Sequence, residues 1–82
     1  MCYMFEVFYR PPADVEKEAA LTANVSSFGG RLSHRELTNG ESSAICLAYE
    51  FDERSQAESA AEALRKRGEH VEGPMEYGPN SK

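Results

Sequence analysis

Ser43-Ala44-Ile45-Cys46-Leu47-Ala48-Tyr49-Glu50-Phe51 is one of the two most apolar runs in the chain, and its reading decides how the rest is arranged. A β-branched Ile, two aromatic rings and small alanines suit a strand buried on at least one face. Its counterpart is Cys2-Tyr3-Met4-Phe5-Glu6-Val7-Phe8-Tyr9. There Tyr3, Phe5, Val7 and Tyr9 alternate with Cys2, Met4, Glu6, Phe8 and Arg10, so one face is wholly apolar and the other carries charge. Two such runs are expected at the centre of one small sheet.

Asn39-Gly40 stands just ahead of the central run and just behind the polar stretch Arg31–Thr38. An Asn-Gly pair between strand-like segments is the strongest short-range hairpin signal, because a type I′ turn needs positive φ at both positions. A two-residue turn pairs Thr38 with Glu41, His34 with Ile45, Leu32 with Leu47 and Arg31 with Ala48. Cross-strand partners share a face. Leu32 and His34 are therefore expected beside Ile45, Leu47 and Tyr49, and Arg31, Ser33 and Arg35 beside Ala44, Cys46 and Ala48.

Two helical segments separate the strands. Pro11-Pro12 ends the first strand, since neither proline can donate to a ladder. Asp14, Glu16 and Glu18 then place negative charge at the positive end of a helix from about Ala13 to Ser27. Leu21, Val25 and Phe28 form its apolar stripe, and Phe28-Gly29-Gly30 its stop. Ser55-Gln56-Ala57-Glu58 has the pattern of a capping box and opens a second helix that Gly68 closes near Arg67. Ala57, Ala60, Ala61 and Leu64 are its buried stripe. Arg65-Lys66-Arg67 falls in its last turn, where cations oppose the helix dipole, and reads as that rather than as a nucleic-acid patch. Glu69 to Glu72 is a short last strand, broken at Gly73-Pro74 and resumed over Met75 to Tyr77 as an edge.

The order is strand, helix, strand, strand, helix, strand. A right-handed crossover in each strand–helix–strand unit brings the first and third strands side by side, and taken alone it suggests a parallel pair. The whole order gives an α+β, ferredoxin-like βαββαβ sandwich. Its four-stranded antiparallel sheet runs 4-1-3-2, with two helices on one face. The most apolar runs become the central strands and the polar or proline-bearing ones the edges. Residues 1–78 make the single domain, and 79–82 a polar tail.

Composition bounds the function. An 82-residue chain buries about two thirds of its unfolded surface, which leaves a thin stability margin. A net charge of −5, with basic residues scattered apart from one triplet, opposes nucleic acid and anionic lipid alike. No run approaches a membrane span. Met1 leads into strand-like residues without a basic, then apolar, leader, so a cytoplasmic setting is expected. Cys2 and Cys46 have neither the spacing nor the density of a disulfide framework and read as reduced thiols. No metal-ligand spacing of His and Cys occurs, and neither a metal nor a cofactor is expected.

The open face of the sheet is the candidate site. Glu6, Phe8, Arg31, Arg35, Cys46 and Glu50 are expected to share it, the carboxylates and arginines able to hold a small polar ligand. Met4, Phe8, Cys46 and the alanines leave an apolar strip there, which points to a homodimer through this face or through a sheet edge. His34 is expected under the helices, and His70 at the exposed start of the last strand.

The element order, with the return Phe28-Gly29-Gly30-Arg31-Leu32 after the first helix, resembles ACT-like regulatory modules and other small ferredoxin-like domains over nearly the whole chain. The resemblance implies a stand-alone binding or regulatory module, and the lack of a catalytic constellation in the sequence favours one without catalytic activity. ACT-like modules carry a glycine-containing turn after the first strand. This chain has Arg10-Pro11-Pro12-Ala13 there, so amino-acid binding of that type is not expected. The alternative is a small enzyme similar to dimeric α/β-barrel monooxygenases or isomerases, working through His34 or His70 in a pocket between sheet and helices. An RNA-recognition-like domain ranks last, because Phe8 is the lone outward aromatic and stands among carboxylates.

Overall fold

The computed structural model describes residues 2–38 and 43–77. The Asn39-Gly40 turn and the 79–82 tail lie outside the described residues. Six elements follow in order: β1 (Cys2–Tyr9), α1 (Val15–Ser27), β2 (Arg31–Thr38), β3 (Ala44–Phe51), α2 (Arg54–Lys66) and β4 (His70–Tyr77). The sheet runs β2-β3-β1-β4, which is the ferredoxin-like order. Every neighbouring pair is antiparallel. The parallel β1–β3 pair suggested by the crossover alone does not form. The β2–β3 hairpin reverses β3, so it runs opposite to β1.

The two central strands follow their alternation without interruption, from Tyr3 opposite Phe51 to Tyr9 opposite Ile45. Phe5, Val7, Leu47, Tyr49 and Phe51 are fully buried, and Tyr3, Tyr9 and Phe28 pack around them. Phe5 is the hub, its ring centroid 5.3 Å from Phe51 and 5.9 Å from Tyr49. Above it α2 presents Ala57, Ala60, Ala61 and Leu64, all fully buried. Such small residues let the helix axis sit close to a sheet face crowded with rings.

Both helices end in the same way. In α1 the Gly29 amide donates to the Ser26 carbonyl and the Gly30 amide to Val25; in α2 Gly68 donates to Arg65 and Glu69 to Leu64. This is the Schellman pattern, and Gly29 and Gly68 take the positive φ it requires, at 91° and 93°. At the other ends the helices differ. Asp14 caps α1 by accepting from the Lys17 amide. The Ser55–Glu58 capping box is not formed: the N-cap is Glu53, two residues before Ser55, with no side-chain cap.

The edge strands depart from simple alternation. Thr38 pairs with Ala44, Leu37 with Ile45, Arg35 with Leu47 and His34 with Ala48. Residues 39–43 therefore separate the strands, not Asn39 and Gly40 alone, and the register is displaced by an odd number of positions. An odd displacement exchanges the two faces. His34 consequently lies on the open face with Ala48, and Arg35 under the helices with Leu47, the reverse of the expectation. A bulge at Ser33 then resets the phase, so Leu32 opposite Tyr49 and Arg31 opposite Glu50 occupy their expected faces. On the far edge β4 is continuous through Gly73-Pro74. It accommodates them as a bulge opposite Phe5, between the Met4–Met75 and Glu6–Glu72 pairs.

Candidate functional site on the open sheet face

Strand register assembles the open face as rows that run across all four strands. The first row is Arg31, Glu50, Met4 and Met75; the second His34, Ala48, Glu6 and Glu72; the third Glu36, Cys46, Phe8 and His70. Of the expected site residues, Glu6, Phe8, Arg31, Cys46 and Glu50 do share this face. Arg35 does not. Its Nε donates to Glu18 Oε1 at 2.7 Å and its Nη2 to Glu18 Oε2 at 3.0 Å, on the helix side of the sheet.

The face is acidic at its heart. In the rows these described residues form, Glu6, Glu36, Glu50 and Glu72 stand against one permanent cation, Arg31. That cation is already engaged, 2.8 Å from Glu50 and 3.3 Å from Asp52, and the hydrogen bond it donates to Asp52 leads in raising its pKa. Each histidine sits beside a carboxylate of its own strand. His34 Nε2 is 3.7 Å from Glu36, and His70 Nε2 is 3.0 Å from Glu72. Phe8 meets the His70 ring edge to face at 5.8 Å.

Cys46 shows what this environment does to chemistry. Although it points to the open face, it is only 4% exposed. Burial pushes its thiol up to about 11, and the charges of Glu6 and Glu36 and a hydrogen bond with Glu6 add to the effect. A thiol kept protonated is a poor nucleophile. Among the described residues no group of three or more His, Cys, Asp or Glu side chains could hold a metal ion.

At one end of the face, where β1 leaves the sheet and β3 and β4 begin, a groove of about 680 Å³ opens. Phe8 and His70 form one wall, Arg10 and Pro11 another, and Ser43 and Ala44 complete it. Neither this groove nor the polar cluster beneath it was singled out from the sequence. In that cluster the Tyr9 hydroxyl donates to Glu18 Oε2, and the Asp14 amide donates to the same hydroxyl at 2.9 Å. The Arg35 hydrogen bonds hold the Glu18 carboxyl below its usual range, with Tyr9 contributing against the cost of burial. Tyr49 shares the cluster through a 2.9 Å contact between its hydroxyl and that of Thr22. One signal for it was in the chain. Leu32 and Leu37 are five positions apart and cannot share a face of a regular strand, so a common face for both implies the bulge that turns Arg35 toward Glu18.

No helix among the described residues is long and apolar enough to cross a membrane. No family model matches this chain, and no curated protein matches it, so what is established of its kinship is the small α+β, four-stranded antiparallel fold itself.

Proposed function

We propose that this chain is a small binding or regulatory module, without catalytic activity, that works as a homodimer joined edge to edge through β2. The observation that carries the reading is the contrast between the two edges of the sheet. On β4 the bulge interrupts the ladder, Pro74 lacks an amide hydrogen, and Arg65 Nη2 donates to the carbonyls of Val71 and Gly73 at 2.9 and 2.7 Å. These are devices that blunt an edge. On β2 all eight residues are exposed, Leu32 and Leu37 among them at 42% and 52%. Among the described residues no loop or side chain bonds to its outer backbone groups.

A twofold axis at Arg35 suits this edge. It sets His34 of one copy opposite Glu36 of the other, and brings Leu37 beside the other copy's Leu32. The two arginines that then face each other are each neutralised by their own Glu18. Stacking through the open faces is disfavoured, because it brings two sets of Glu6, Glu36, Glu50 and Glu72 together. That leaves the open face and its groove for a small ligand. The unpaired Cys2 and Cys46 suit a reducing compartment, and the proposal includes a cytoplasmic setting.

Light scattering on the purified chain tests the dimer. A mass twice the 9.1 kDa chain is expected at micromolar concentration. Leu37→Lys is expected to return a folded monomer, its circular dichroism spectrum unchanged and its melting temperature no longer dependent on protein concentration. A wild-type monomer, or a dimer indifferent to Leu37→Lys, overturns edge pairing. One observation favours a second reading, an enzyme of the dimeric α/β-barrel kind: His70, oriented by Glu72, lines the groove. That reading requires turnover that disappears in His70→Ala.

A further inference from the structure

We infer that the groove at the end of β1 is a binding site for a small aromatic carboxylate that carries no amino group. The inference deepens the binding-module reading and rests on its small-ligand part, not on the dimer. Size comes first. At about 680 Å³ the groove lies within the range of small-molecule sites.

Charge is the second argument. The chain has 14 acidic residues against 9 lysines and arginines, yet among the described residues no carboxylate lines this groove. The cation that does line it, Arg10, stands apart from most others in the molecule. Lys17, Arg31, Arg35, Arg54 and Lys66 each have a carboxylate partner, and Arg65 is bonded to backbone carbonyls. Arg10 makes no ion pair or hydrogen bond among the described residues. A free guanidinium presents a planar fork that matches a carboxylate in two parallel hydrogen bonds.

The walls supply the third argument. Phe8 and His70 meet edge to face at 5.8 Å, and Pro11 and Ala44 add apolar surface. The Glu72 carboxylate holds the His70 ring through Nε2, so this wall is positioned before a ligand arrives. A flat ring fits between such walls while its carboxylate reaches Arg10. An α-amino acid presents the same carboxylate but adds an ammonium group, and among the described lining residues no acid can receive it. That ammonium would lose hydration without a partner. Discrimination against amines therefore follows from the same lining that favours the acid.

The probe is 2-naphthoate, followed by heteronuclear NMR on the full chain. Saturable shifts are expected at the amides of Phe8, Arg10, Ala44 and His70. The neutral isostere 2-naphthamide and L-phenylalanine are each expected to bind about tenfold more weakly, or not at all. Arg10→Ala is expected to weaken 2-naphthoate by about tenfold, with the melting curve and the light-scattering mass unchanged, since Arg10 is exposed and supports no fold contact. His70→Ala reports independently on the aromatic wall and is expected to weaken the acid and its amide alike. The site is overturned if 2-naphthoate fails to saturate at millimolar concentration, if the amide binds as tightly, or if the shifts map to the outer edge of β2. Leu37→Lys separates the two proposals: it is expected to abolish the dimer and leave 2-naphthoate binding intact.

Discussion

Strands β2 and β3 are hydrogen-bonded neighbours of equal length, eight residues each, and they live in opposite surroundings. Five consecutive residues of β3, Ile45 to Tyr49, are buried along with Phe51; every residue of β2 is exposed. The difference is one of position in the sheet. β3 has a strand on both sides and both helices above it, whereas β2 has one strand neighbour and only the rim of α1. Half of the hairpin therefore carries the stability of the domain, and the other half is free to carry contacts with something else.

The sharpest way to break this comparison is a pair of truncations. Phe51→Ala removes a fully buried ring that packs on Phe5, and is expected to cost about 3–5 kcal/mol. Leu37→Ala on β2 is expected to change stability by about 0.5 kcal/mol or less. Urea denaturation measures both, and similar losses would mean that β2 is more deeply engaged than its exposure indicates. Next in size is Gly30→Ala, at the entrance to β2. A Cβ there would lie 2.4 Å from Cε2 of Phe51 and 2.6 Å from Cγ1 of Val25, so overpacking of about 1–3 kcal/mol is expected.

A smaller effect concerns the tie that holds β2 to α1. Glu18 has its pKa lowered from 4.5, chiefly by the hydrogen bonds from Arg35. A depressed carboxylate contributes stability above its unfolded value, and that contribution is lost as pH falls through the folded one. Thermal melts taken from neutrality downward are expected to lose stability below about pH 4.5. The Glu18→Gln variant is expected to be less stable at neutrality and to show a shallower acid slope. An unchanged slope would remove Arg35 from the account of how β2 is anchored. The smallest effect is chemical. With its thiol at about 11, Cys46 is expected to resist iodoacetamide at mildly alkaline pH while the native fold persists, and to react once urea exposes it.

The same contrast explains what could be read from the chain. Central strands with a buried face on every second residue state their own phase, and Phe5, Val7, Leu47 and Tyr49 were legible for that reason. The stripes of both helices and their glycine stops were legible from spacing. On β2 no buried face enforces a register, so the Asn39-Gly40 signal stood alone, and it placed His34 and Arg35 on the wrong sides. Most of the open face survived this error, because Glu6, Phe8, Cys46 and Glu50 belong to the central strands. The groove at Arg10 was not legible. It is made where three strands end, and no spacing within one segment encodes such a meeting.

The bulge at Gly73-Pro74, together with the Arg65 guanidinium, has a consequence for stoichiometry. A sheet with two growing ends can add copies without limit, as a filament does, whereas a sheet with one growing end has used it up once a second copy is added. With β4 sealed, the pairing through β2 proposed above is self-terminating. Removing the seal, rather than altering β2, is the change that would convert the proposed two-chain particle into a fibre.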